Sequence, residues 1–141
     1  MGIVLDTSIL IAAEKTKLDL ASFAAANKEV AIYIAAITAA EYLVGVERAH
    51  PASRRAKRAA VGEQFLASVS VIDYDLTVAR QHAKLWAAMA ESGNMLGPYD
   101  MIIAASALEF GHLLATLNVG EFSKVRGLKL VEMDAFLTDS S

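Results

Sequence analysis

The segment from Tyr99 to Phe110 constrains the fold more than any other part of this sequence. Gly97-Pro98 stands before it and Gly111 after it, so it starts and stops as a helix does. Met101, Ile102, Ile103, Ala104, Ala105, Ala107 and Leu108 make it apolar nearly all round. A helix without a polar face belongs in an interior. The rest of the 141-residue chain, enough for one compact domain, must supply its cover.

That cover reads as short strands alternating with helices. Ile3-Val4-Leu5 is an apolar run without alternation, as in a strand buried on both faces, and it ends in Asp6. Asp6-Thr7-Ser8 offers capping side chains to a helix through Ile9 to Glu14. Leu18 to Ala26 predicts a second helix and Val30 to Ala35 a second strand. Thr38 is placed to open a third helix, which runs to about Ala49 and stops before His50-Pro51. A charged helix, Ser53 to Ser68, leads to a third strand, Val69 to Ile72. Asp75 then caps a long helix to about Ser92, with an apolar stripe of Leu76, Ala79, Ala83 and Trp86. His112 to Thr116 is the fourth strand and Leu128 to Val131 a short fifth. The domain spans residues 1–137, and residues 138–141 form a loose tail. The alternation predicts an α/β fold, a parallel sheet of about five strands between helices. Ligands of such sheets bind beyond the carboxyl ends of the strands.

Composition narrows the chemistry. Apolar residues make up 55% of the chain, which suits a sizeable core. Cysteine is absent, so disulfides and zinc–thiolate sites are excluded. The beginning MGIVLDTS lacks the pattern of a signal peptide, and the longest apolar run, Val30 to Ala40, is too short to cross a bilayer. A cytoplasmic location is the expectation. A net charge of −3 speaks against a plain nucleic-acid-binding module, so any such role needs a local basic patch or bound cations.

Three acids sit where acids are costly. Asp6 ends the first strand, Glu41 shares a helix stripe with Ile37 and Val44, and Asp100 lies in the first turn of the most apolar helix. Basic residues are scarce around them. The first forty residues hold only Lys15, Lys17 and Lys28, and Leu85 to Thr116 holds no Lys or Arg. If the fold brings the acids together, their repulsion needs a counter-charge. Carboxylate oxygens without sulfur or imidazole favour Mg²⁺ or Mn²⁺. Each acid also has an ordinary reading, as a helix cap, an acid on an amphipathic face, or a carboxylate at a helix N-terminus.

Around these acids run the segments IVLDTSILIA (3–12), AAITAAEYLVGVERA (35–49), VSVIDYD (69–75), LGPYDMIIAASALEFG (96–111) and LLATLNVGEFSKVRGLKL (113–130). In order and spacing the chain resembles the PIN-domain family, and within it the VapC-type toxins of toxin–antitoxin pairs. The resemblance implies a PIN-like three-layer sandwich and a metal-dependent endoribonuclease that cuts cellular RNA, such as tRNA or rRNA. It also implies a homodimer and a VapB-type antitoxin that forms a hetero-oligomer with it. By position it carries the family's acids to Asp6, Glu41 and Asp100, binding Mg²⁺ or Mn²⁺. Thr7, Ser8 and Thr116 become hydroxyls that orient the acids. The usual fourth acid is replaced by Asn118, with Glu121 as the nearest carboxylate able to complete the site. The rival function is a catalytically silent PIN-fold scaffold that binds RNA or protein.

The remaining candidates are less distinctive. Arg48, Arg54, Arg55, Lys57 and Arg58 could grip RNA phosphates or form a solvated helix face. Lys124, Arg126 and Lys129 form a smaller basic group, and Tyr99 could stack on a base. His50, His82 and His112 are scattered and form no triad. Asp73 and Asp75 look like a carboxylate pair, but Asp75 reads as a cap. Trp86 and Phe65 read as core or dimer surface.

Overall fold

The computed structural model describes residues 1–138. In chain order its elements are β1 (Ile3–Leu5), α1 (Thr7–Glu14), α2 (Leu20–Ala26), β2 (Ile32–Ala35), α3 (Ala36–Glu47), α4 (Ala52–Ser68), β3 (Ser70–Ile72), α5 (Leu76–Ser92), α6 (Pro98–Glu109), β4 (Leu113–Ala115), α7 (Val119–Phe122) and β5 (Leu130–Val131). A 3₁₀ turn at Asp134–Phe136 follows. The strands form one sheet in the order β3-β2-β1-β4-β5, every pair parallel. The chain winds outward from β1 through β2 to β3, then returns to place β4 on the other side of β1. The winding therefore reverses between β1 and β4, where the carboxyl ends of an open parallel sheet leave a crevice.

Period-2 alternation sends the strand side chains to two cores. Val4, Ala35, Ile72 and Leu114 face α5 and α6, where Val78, Met89, Met101, Ile103 and Ala107 are buried. Ile3, Leu5, Ile34 and Ala115 face α1 and α2, packing with Ile9, Leu10 and Phe23. This is a three-layer sandwich. Helix α6 is its central helix, buried along Met101 and Ile103 to Ala107, as its all-apolar sequence requires. Pro98 opens that helix, and Gly111 follows it with φ of 66°, a left-handed conformation that a side chain would oppose.

Several elements differ from the sequence reading. Helix α3 leaves β2 without a loop, starting at Ala36, and Thr38 is fully buried within its first turn instead of capping it. On the same helix Ile37 packs against the core but Val44 is exposed, so the Ile37–Glu41–Val44 stripe does not stay buried along its length; the fully buried residues are Thr38 and Val46. Helix α5 is rotated from the expected register. It buries Val78, Leu85 and Met89, while Leu76 and Trp86 are 65% and 54% exposed. Polar Gln81 and His82 interrupt the true stripe and disguise it. Trp86 is thus not core, whereas Phe65 is half-buried against the α1–α2 cluster. Helix α7 has no counterpart in the sequence reading, since Val119-Gly120-Glu121-Phe122 has turn-like composition. Thr138, where the loose tail was expected to begin, donates from its backbone N–H to Lys17 O and from its hydroxyl to Thr16 O. The rest of that expected tail, 139–141, lies outside the described residues. No helix among the described residues is long and apolar enough to cross a membrane.

The register of α5 is testable by truncation. Leu85→Ala should lower the unfolding free energy by about 2–5 kcal/mol. Trp86→Ala should cost under about 1 kcal/mol, as an exposed position does. Urea unfolding at one fixed protein concentration measures both, and the reverse ranking would restore the expected stripe.

Candidate active site at the carboxyl edge of the sheet

Asp6 follows β1 and Thr116 follows β4, so the reversal of winding sets them side by side. Asp6 is 2% exposed, yet its side chain does not cap α1. Its Oδ2 instead accepts hydrogen bonds from Ser8 Oγ and Thr116 Oγ1, both at 2.7 Å. Each hydroxyl is itself oriented. Ser8 Oγ accepts the backbone N–H of Leu117 at 3.0 Å, and Thr116 Oγ1 that of Asn118 at 2.9 Å. With those lone pairs engaged, the hydroxyl protons point to the carboxylate. Both bonds fall on Oδ2, and Oδ1 takes neither.

Glu41 arrives from the other side. Thr7 Oγ1 donates to Glu41 Oε1 at 2.7 Å and lies 3.2 Å from Thr38 Oγ1. The buried Thr38 is therefore part of the support for Glu41, a role that a hydroxyl residue in a helix does not announce in sequence. Asp100, half-buried in the first turn of α6, completes the group. Burial pushes its carboxyl above the ordinary 3.8, and the charges of Asp6, Glu41 and Glu121 push it further. Four carboxylates, one just after β1 and one each on α3, α6 and α7, thus share one electrostatic neighbourhood.

Among the described residues no base pairs with the inner three, Asp6, Glu41 and Asp100. The ion pairs among the described residues are Arg58–Glu14 and Lys124–Glu121. The donors suit a divalent cation, being hard oxygens with no sulfur or imidazole. Among the described residues no three acidic or imidazole groups already form a closed ligand set. Mg²⁺ does not demand one, because it keeps several waters and is commonly held by one or two carboxylates. Asp6, Glu41 and Asp100 therefore fit such an ion by charge and donor chemistry. Glu121 stands at the margin, 3.3 Å from Lys124 Nζ. Asn118 starts α7 and makes no side-chain cap bond there.

The other candidates lie elsewhere or are engaged. Arg58 is a strut: Nη2 lies 2.7 Å from Glu14 Oε1, and Nη1 donates to Gly45 O at 2.9 Å. Arg48, Arg54 and Lys57 are exposed, and Arg55 partly so. Lys124 is held by Glu121, while Arg126 lines a separate cleft with Lys84 between α5 and α6; Lys129 is exposed beside β5. Tyr99 is 52% exposed beside Asp100. Asp75 caps α5, accepting from Val78 N, and Asp73 is exposed. His82 pairs with Tyr74, and His50 is exposed. His112 sits at the amino end of the sheet, stacked on Tyr33, its Nδ1 accepting from Gly2 N. Burial, then the N-terminal charge, lowers its pKa below 6.5.

The sequence pattern of the PIN domain family matches residues 3–128. Among curated proteins, the chain is 29% identical over 135 residues to "Ribonuclease VapC1" of Rickettsia felis, covering 96% of this chain and 98% of that protein. It is 33% identical over 96 residues to "tRNA(fMet)-specific endonuclease VapC" of Shigella flexneri, covering 68% and 70%. Among solved structures, DNA-bound VapBC from Salmonella typhimurium superposes with a TM-score of 0.84 at 29% identity, covering 93% of this chain and 97% of that one.

The raised carboxyl of Asp100 has a consequence for stability. The folded chain holds this proton more tightly than the unfolded chain. The contribution is therefore fully present below about 3.8 and is lost as pH rises through the higher folded value. In metal-free protein, Asp100→Asn should stabilise the fold at pH 7 and do little at pH 3.5. Urea unfolding in chelator at both values checks this, and a pH-independent effect would disprove the coupling.

Proposed function

The chain belongs to the PIN-domain family, and from that premise we propose that it is the toxin of a toxin–antitoxin pair, an endoribonuclease that requires Mg²⁺ or Mn²⁺. The observation that carries this reading is the placing of Asp6 by Ser8 and Thr116, and of Glu41 by Thr7, at the carboxyl edge of the sheet, near enough to Asp100 in the first turn of α6 for their charges to raise its carboxyl. Such a cluster, with no cation of its own among the inner three acids, is unfavourable to assemble for structure alone.

Asp6, Glu41 and Asp100 would hold the ion, with Asn118 or Glu121 at its margin. When bound, it supplies a Lewis acid at the phosphodiester and makes water nucleophilic at neutral pH. The protein's own part is positioning. Ser8 and Thr116 fix Asp6 through Oδ2 and leave Oδ1 available. Thr7 holds Glu41 by one oxygen in the same way. The reaction is hydrolysis: a water oxygen bonds to phosphorus, the bond from phosphorus to the 3′ oxygen breaks, and that oxygen takes a proton. The products are a 5′-phosphate and a 3′-hydroxyl.

The relatives' names support the class of substrate and partner. A curated relative is called a tRNA(fMet)-specific endonuclease, and we assign tRNA as the target. The Salmonella neighbour was solved as VapBC, and we assign a VapB-type antitoxin as the partner that silences this chain. A homodimer within that hetero-oligomer belongs to the same proposal.

Inducible expression followed by mapping of new RNA 5′ ends tests the reading. The wild-type chain should arrest growth and yield discrete tRNA cuts, while Asp6→Asn and Asp100→Asn should each lose at least about 100-fold of the activity in vitro, the scale of removing one charge-stabilising group. Chelator should abolish cleavage and Mn²⁺ restore it. Activity that survives Asp100→Asn would leave the chain a scaffold. Thr116→Val should weaken cleavage less than Asp6→Asn and lower stability by roughly 1.5–3 kcal/mol, as expected for a hydrogen bond to a charged group. Parallel kinetics and urea unfolding check both effects.

A further inference from the structure

A cleft of about 370 Å³ opens beside the acid edge, between α1, α3 and α4. Thr7 and Glu41 line it at the acid edge, and Lys15 lines it at the far end of α1. Lys15 lies eight positions after Thr7 along the helix, a rise of about 12 Å. Arg54 and Arg58 line it from α4.

The walls of the cleft are held in place, and its charges separate into two kinds. Arg58 is bound to Glu14 and to the carbonyl of Gly45, so it braces α4 against α1 and α3 and carries no free charge. Tyr42 lies against Gly62, where a Cβ would come 2.5 Å from the tyrosine ring. That contact needs glycine and sets the spacing of α3 and α4. Lys15 and Arg54 differ from Arg58. Both are exposed, and neither has a carboxylate partner among the described residues. Ile11, one helical turn before Lys15, also lines the cleft and is 49% exposed, an apolar surface in the same groove as the two free cations.

We propose that this cleft is the track for the RNA strand next to the cut, with Arg54 and Lys15 each meeting a phosphate that flanks the one at the acid edge. The inference rests on the nuclease reading and extends it to how the substrate is held. Three observations favour a single strand of RNA here. The groove is continuous with Glu41, so a polyanion with one phosphate at the acids must lay its neighbours nearby. The chain's net charge of −3 gives no general attraction to RNA, so attraction has to be local. Unpaired cations flanking an apolar surface match how single strands are gripped, backbone by charge and base or ribose by contact.

The test is binding in chelator, where no cleavage occurs. A fluorescein-labelled 15-nucleotide single-stranded RNA is titrated by anisotropy at several salt concentrations. The Lys15→Ala/Arg54→Ala protein should bind about tenfold more weakly or worse, and its log-affinity against log-salt slope should shrink by about 1.4, or 0.7 for each lost phosphate contact. A Lys17→Ala/Lys28→Ala protein, with the same change in net charge on other exposed lysines, should keep the wild-type slope. In Mn²⁺, the first variant should raise KM for cleavage and leave kcat within about twofold. An unchanged slope, an equal loss in the control, or no wild-type binding would overturn the proposal. So would unchanged RNA binding with a weakened hold on a co-expressed antitoxin, which would assign the two cations to a protein partner. Salt-sensitive binding lost in the variant, with no cleavage by wild type, would keep the cleft and remove the nuclease.

Discussion

A buried carboxylate held by two hydroxyls is the interaction on which the rest of this site depends. Asp6 lies at the joint between β1 and α1 with almost no contact with water. Left unpaired there, a carboxylate would cost several kcal/mol. Ser8 and Thr116 offset part of that cost, and backbone N–H groups orient both hydroxyls. The pair links the turn after β1 to the turn after β4, the two strands between which the winding reverses. The same few atoms close the sheet's edge and fix the first acid of the cluster.

The remaining charge is left unbalanced. Glu41 accepts from a hydroxyl, and Asp100 stands in the first turn of α6 where burial and the neighbouring acids raise its carboxyl; among the described residues neither is paired with a cation. Basic residues stand farther out, along the α1–α3–α4 cleft, where Arg58 is neutralised and Lys15 and Arg54 are not. The edge thus has an acidic centre with a partly basic flank. The proposed divalent ion would answer the first need and the proposed RNA strand the second, so one geometry would serve both despite a net negative chain.

The fold was largely legible because its strongest signals are local. A nearly all-apolar helix bounded by Gly-Pro and Gly, and short strands alternating with helices, the first of them an unalternating run that ends in a polar turn, lead to a parallel sheet whatever the details. The errors arose where local signals competed. Thr38 resembles a cap, but its hydroxyl serves Thr7 across a helix interface. Two apolar stripes run along α5, and the sheet selects the one interrupted by polar residues because Val78, Leu85 and Met89 fill the core more fully than alanines. Arg58 looked like a free cation, yet a carboxylate 44 positions away occupies it.

By itself the sequence determined which residues could carry charge chemistry and in what order they occur. Asp6, Glu41 and Asp100 stand out from apolar surroundings, and their donor type would suit a hard divalent ion if the fold brought them together. Only the tertiary structure decided that they share a neighbourhood, that Glu121 joins them, and which hydroxyl serves which acid. The physical reason is range. Burial and helix periodicity are written in neighbouring residues, whereas mutual repulsion and hydrogen-bond partnership depend on distances between segments that only the crossover from β3 to β4 brings together.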